Sequence, residues 1–152
     1  MQLSEILTPE RTFHAASGNS KKRVFEFLAS QLVSGNNPAH MQLILDAFMA
    51  RERLGSTGLG QGIAIPHCRL NSCEECTGAL LTLSKPIEFD APDNQPVDLL
   101  FVLVVPSEAN DQHLQILAEL AQRFSSDKYC QQLRSAESAE ALYSAAMATV
   151  ET

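Results

Sequence analysis

The order of elements in this chain predicts an α/β/α sandwich. Two amphipathic helical segments precede the most hydrophobic strands and three more follow them. The stretch Val97 to Val105 is apolar almost throughout, as a central strand covered on both faces must be. Neither an internal repeat nor a low-complexity linker divides the 152 residues, so the expectation is one domain, 1–152, with a core of its own.

Taken in order, Arg11 to Ala16 reads as a short strand. Ser20 is placed to cap a helix reaching Ser34, with Val24, Phe27, Leu28 and Leu32 at helical spacing, and Gly35-Asn36-Asn37-Pro38 stops it. A second helix runs from Ala39 to Leu54. Its apolar stripe is Met41, Leu45, Phe48 and Met49, and Gly55 is its C-terminal cap. The stretch Gly55 to Gly62 holds four glycines in eight positions and reads as a loop able to approach a ligand closely. Ile63-Ala64-Ile65 is a short buried strand ended by Pro66. Thr77 to Leu83 and Val97 to Val105 are two more strands, and Lys85 to Pro96 between them reads as turns through Pro86, Pro92, Asp93 and Asn94. Three helices close the chain. Asp111 to Phe124 carries Leu114, Leu117, Ala118 and Ala121 on one stripe; Asp127 to Leu133 and Ser138 to Val150 follow.

Composition narrows the function classes. A net charge of −7 argues against nucleic acid or an anionic membrane surface as the main partner, because both need a basic face. The N-terminus does not pattern as a secretory signal, and the longest apolar run is too short to span a bilayer. The expectation is a cytoplasmic protein whose cysteines, Cys68, Cys73, Cys76 and Cys130, are reduced thiols.

Of the four histidines, His14 and His40 have no polar constellation beside them. His67 follows Ile63-Ala64-Ile65-Pro66 at a strand end that emerges from the glycine-rich loop, where functional groups of α/β folds collect. Pro66 fixes its own φ and restricts Ile65, so His67 leaves in a defined direction. A nucleophilic imidazole needs that: one nitrogen held, the other presenting its lone pair. With Asp111 as N-cap, His113 falls in the first turn of a helix, where free amides attract anions and disfavour a second positive charge, or is simply an exposed first-turn residue. Arg51, just before the glycine loop, offers a guanidinium fork for phosphate oxygens or is a solvated residue at a helix end. Ser56 and Thr57 offer hydroxyls to the same anion, or are ordinary loop residues. No Gly-Lys-Ser/Thr ending is present, so the loop is not a nucleotide-binding P-loop. Cys73-Glu74-Glu75-Cys76 with His67 and Cys68 upstream reads first as structural or incidental cysteines and admits a zinc site as the lesser alternative. A redox pair is disfavoured because the motif precedes a strand and two acids raise the thiol pKa.

The run Arg51-Glu52-Arg53-Leu54-Gly55-Ser56-Thr57-Gly58-Leu59-Gly60-Gln61-Gly62-Ile63-Ala64-Ile65-Pro66-His67 resembles the active-site signature of enzyme IIA proteins. These are the fructose/mannitol class of the bacterial phosphoenolpyruvate-dependent phosphotransferase system. Asp93 to Leu100, Val105-Pro106 and His113-Leu114 resemble the second half of the same family, and the nitrogen-regulatory branch is most similar. The resemblance implies a mixed sheet, His67 as the phosphorylated histidine attacking through Nε2 with Nδ1 held by a backbone acceptor, and His113 and Arg51 beside it. Donors from the loop, namely Ser56, Thr57, Gly58 and Gly60, would bind the phosphoryl oxygens. The implied donor is a histidine phosphocarrier protein, with no cofactor or metal at the step. The implied role is regulation of partner proteins by phosphorylation state; the alternatives are a sugar-transport enzyme IIA feeding a IIB domain and a zinc-binding module. Cys68 departs from the family, where glycine usually follows the histidine.

Overall fold

The computed structural model describes residues 2–33, 37–71, 75–108 and 111–148, the side chains of 111–113 excepted. The chain opens with a short helix α1 (Leu3–Ile6), a 3-10 turn (Pro9–Arg11) and strand β1 (Thr12–Ala16). Helices α2 (Lys21–Leu32) and α3 (Pro38–Arg53) follow. Four strands then lead to the long β6: β2 (Gly58–Gly60), β3 (Ile63–Ala64), β4 (His67–Leu70), β5 (Thr77–Ile87) and β6 (Val97–Pro106). Helices α4 (Asp111–Phe124), α5 (Asp127–Ser135) and α6 (Ala139–Met147) complete the fold.

Helix starts follow their local chemistry. Ser20 Oγ accepts from the Arg23 amide at 3.2 Å, capping α2 as the sequence predicts. Asn37 and Pro38, from the segment predicted to follow the first helix, also start α3. Asn37 Oδ1 accepts from Ala39 and His40 amides, and Pro38 occupies the first helical position, where a missing N–H costs nothing. Asp111 is the first residue of α4 and not the residue before it. Ser126 and Ser138 cap α5 and α6 through Tyr129 and Ala141 amides.

The sheet is mixed, with order β1-β5-β6-β3-β2. β1 runs parallel to β5, β5 antiparallel to β6, and both β3 and β4 run parallel to β6. Alternation along β6 sorts its apolar residues into two cores. Leu100, Val102 and Val104 face α2 and α3, where Phe25 and Phe48 stack at 5.2 Å. Leu99, Phe101, Leu103 and Val105 face α1, α4, α5 and α6. A strand buried on both faces explains why β6 shows no polar alternation, as its sequence predicts.

Three expectations are corrected. The glycine-rich stretch is not wholly loop, since Gly58–Gly60 pairs antiparallel with β3. His67 does not end a strand; it begins β4. β5 continues through Pro86 to Ile87, and Pro86 is tolerated because the register with β6 shifts between Thr82 and Ile87.

Candidate active site

The site is made where the β3–β4 edge of the sheet is interrupted. β3 lies beside Leu99 and Leu100, and β4 lies beside Leu103 to Pro106. Between them Pro66 has no amide hydrogen, and its carbonyl accepts from the Leu103 amide at 2.9 Å. The Ile65 amide turns instead to the Thr57 carbonyl at 3.0 Å. The Ile65 carbonyl is left to the side chain two residues on, and His67 Nδ1 lies 2.8 Å from it. A carbonyl can only accept, so Nδ1 carries the hydrogen and Nε2 carries the lone pair.

His67 is half-buried, and desolvation pulls its pKa below the ordinary 6.5. The bond to Ile65 opposes this by favouring the protonated ring; the Arg51 charge adds to the lowering and the Glu52 charge opposes it. The net effect favours the neutral imidazole, the state in which Nε2 is a nucleophile. Arg51 is therefore close enough to act on the ring. Its Nη1 donates to the Gly55 carbonyl at 2.9 Å, tying the guanidinium to the turn after α3.

The predicted loop donors are engaged within the protein. Ser56 Oγ donates to the Phe89 carbonyl at 3.0 Å and accepts from the Gly58 amide at 3.1 Å. The Thr57 hydroxyl donates to Glu52 Oε1, which also accepts the Thr57 amide at 3.2 Å. Gly58 is a glycine because a Cβ there would meet the Ala91 Cβ at 2.9 Å, and Gly60 because its φ is +91°. Among these four residues, then, both hydroxyl protons and the Gly58 amide already have protein acceptors. The glycines serve the turn's packing on the segment 89–93 more directly than a ligand.

Glu52 is the residue that sequence reasoning missed. Its side chain is 5% exposed and ion-pairs with Lys21 Nζ at 3.1 Å. Lys21 in turn lies 4.3 Å over the Phe89 ring and 3.6 Å from Asp90. Glu52 stands in the signature run but was given no role there, since an acid between two arginines in a helix reads as solvated. The backbone of His113 lies in the first turn of α4, as predicted, and its side chain lies outside the described residues. Cys73 also lies outside them. Cys68 is buried with the α2/α3 core, and adjacent residues of a strand point to opposite faces. His67 and Cys68 therefore point to opposite faces of the sheet while β4 is paired. His14 is exposed on β1, and His40 lies at the start of α3.

A histidine at the start of β4 with Nδ1 held by a backbone carbonyl is compatible with the arrangement that the resemblance implies. Residues 5–146 match the family model of the phosphoenolpyruvate-dependent sugar phosphotransferase system, EIIA 2. The chain belongs to this family. A nitrogen regulatory protein of Pseudomonas aeruginosa is 47% identical over 143 residues, covering 94% of this chain and 93% of that protein. One from Escherichia coli is 42% identical over 144 residues, covering 94% and 88%. The crystal structure of the nitrogen regulatory protein IIA-Ntr from Neisseria meningitidis superposes with a TM-score of 0.89 at 39% identity, covering 95% of this chain and 99% of that one. The enzyme IIA fold, its mixed sheet included, is thus the one the sequence resembles, and these relatives carry the name of its nitrogen-regulatory branch. No helix among the described residues is long and apolar enough to cross a membrane.

Proposed function

We propose that this enzyme IIA accepts a phosphoryl group on His67 Nε2 from a histidine phosphocarrier protein, and that its phosphorylation state regulates partner proteins. The observation that carries the reading is the Nδ1–Ile65 carbonyl contact of 2.8 Å, which fixes the tautomer with Nε2 as the nucleophile. A ring held neutral and oriented supplies what in-line transfer through a metaphosphate-like state needs from an acceptor: position and a lone pair. The P–N bond of the donor phosphohistidine breaks as the new P–N bond forms, and the donor imidazole keeps the electron pair.

Arg51 is the proposed partner of the equatorial oxygens. Its charge already acts on the ring, and exchanging the Gly55 carbonyl for a phosphoryl oxygen is a short move for a guanidinium. His113 is the proposed second histidine, presented from the first turn of α4 after β6. The Ser56–Gly60 turn contributes through its backbone and its shape, or through its hydroxyls once their internal bonds are exchanged. The regulatory half rests on charge: about two negative charges appear at neutral pH where a partner would otherwise meet an uncharged ring. The same chemistry would pass phosphate to a IIB domain. The nitrogen-regulatory names of the two curated relatives described above favour regulation.

The test is intact-protein mass after incubation with phosphoenolpyruvate, enzyme I and a histidine phosphocarrier. A gain of one acid-labile phosphoryl group in the wild type, absent in His67→Ala, is the expected result. No gain with competent donors overturns the reading.

A further inference from the structure

A continuous hydrogen-bonded path runs from Lys21, at the start of α2, to the His67 ring. Lys21 Nζ donates to Glu52 Oε2 at 3.1 Å. The amide and hydroxyl of Thr57 both donate to Glu52 Oε1. The Thr57 carbonyl accepts from the Ile65 amide at 3.0 Å, and the Ile65 carbonyl accepts from His67 Nδ1 at 2.8 Å. Every link is a group whose partner is fixed by secondary structure on one side: Glu52 by the last turn of α3, Ile65 by the break between β3 and β4.

We propose that Glu52 is a positioning residue for the His67 reaction, anchoring Thr57 and through it the Ile65 carbonyl that sets the tautomer and direction of the imidazole. The inference rests on the phosphotransfer reading and adds a residue to it. A buried carboxylate is costly and persists when paired and hydrogen-bonded. Here a single carboxylate is satisfied by three donors, two of them from the turn that carries the site. The turn 55–57 has no regular secondary structure to hold it, so the Glu52 contacts take that place. Among the described residues the charged groups acting on the ring are Arg51 and Glu52, both from α3, and they act in opposite directions.

The experiment compares wild type with Glu52→Gln by nitrogen-15 NMR of the His67 ring in the unphosphorylated chain, together with the rate of phosphoryl uptake. The expected result is loss of the pure Nδ1–H tautomer, a His67 titration midpoint below that of wild type, and uptake slowed about tenfold or more through the rate constant rather than through donor affinity. Where Glu52→Gln leaves Lys21 unpaired and the chain fails to fold, Glu52→Gln with Lys21→Met removes both charges and keeps the test. A folded variant that is less stable but has wild-type ring shifts and uptake overturns the proposal, because a merely structural glutamate would behave so. The ring measurement needs no phosphoryl donor, so it decides the role of Glu52 even if transfer to His67 fails.

Discussion

Burial at His67 lowers the ring's proton affinity, and folding stability depends on pH in consequence. The folded pKa lies below the ordinary 6.5, so between the two values the unfolded chain binds the proton that the folded chain refuses. His67 therefore costs stability as pH falls from about 6.5 toward its folded pKa. Over the same window the ring stays neutral, and phosphoryl uptake is expected to persist below pH 6.5; NMR titration of the ring against uptake rate checks both. Arg51→Ala is expected to move the ring's midpoint upward, because the guanidinium contributes to the lowering. It should also slow uptake by about 10²-fold, the usual cost of losing one charge-stabilising donor. Arg51→Lys keeps the charge but not the planar fork and should recover the midpoint better than the rate. His67 and Arg51 were legible as candidates in the sequence because a motif sets them around a glycine-rich turn. What was not legible is how the Ser56 and Thr57 hydroxyls are bonded within the protein. Sequence shows that a donor is present but not that Phe89 and Glu52 offer nearer acceptors than a ligand.

Between residues and fold stands the turn from β2 to β3, held from both sides. Asp93 accepts from the Gln61 amide at 2.8 Å and the Gln95 amide at 3.1 Å, and these bonds hold its carboxyl below the usual range. Arg134 of α5 donates to the Gln61 carbonyl at 2.8 Å and pairs with Asp98 at 2.9 Å. Gly62 sits inside this clamp with φ +81°, and a Cβ there would meet Arg134 Nη2 at 2.8 Å and Asp98 Oδ1 at 3.0 Å. Gly62→Ala is expected to cost about 1–3 kcal/mol in urea unfolding, combining backbone strain with displacement of the arginine. A midpoint within error of wild type would show that the clamp is slack. Elements of this size were unevenly legible. β6 and the capped helices were visible because hydrophobic runs and Ser caps are local signals. β2 and β4 were not, since their pairing with β3 and β6 is made across the chain, and HCRL alone has no strand pattern. In α4 the buried face is Ile116, Leu120 and Phe124, with Leu117 partly buried beside them, while Leu114 is 62% exposed. The predicted stripe Leu114, Leu117, Ala118, Ala121 had helical spacing too, and only the position of the sheet decides between the two faces.

At the scale of the whole molecule the two cores meet in one sheet, and β6 contributes alternate residues to both. If that shared strand makes the layers one cooperative unit, damage on one face must be felt on the other at the same denaturant concentration. The chain has no tryptophan and two tyrosines, Tyr129 and Tyr143, which both pack in the α4–α6 core. Tyr129 is held there by its hydroxyl donating to the Ala146 carbonyl at 2.8 Å and by Phe124 at 5.6 Å. The tyrosine band of the near-UV circular dichroism therefore reports the α4–α6 face alone. Phe48 lies wholly in the opposite core, stacked on Phe25. Phe48→Ala opens a cavity there and is expected to cost about 3–5 kcal/mol. The far-UV and the tyrosine near-UV transitions should both move to the same lower urea midpoint. Transitions that separate, with the tyrosine signal keeping its wild-type midpoint, would mean that the α2/α3 layer unfolds from the sheet on its own. His67 would then lose the α3 groups Arg51 and Glu52 before it loses its strand.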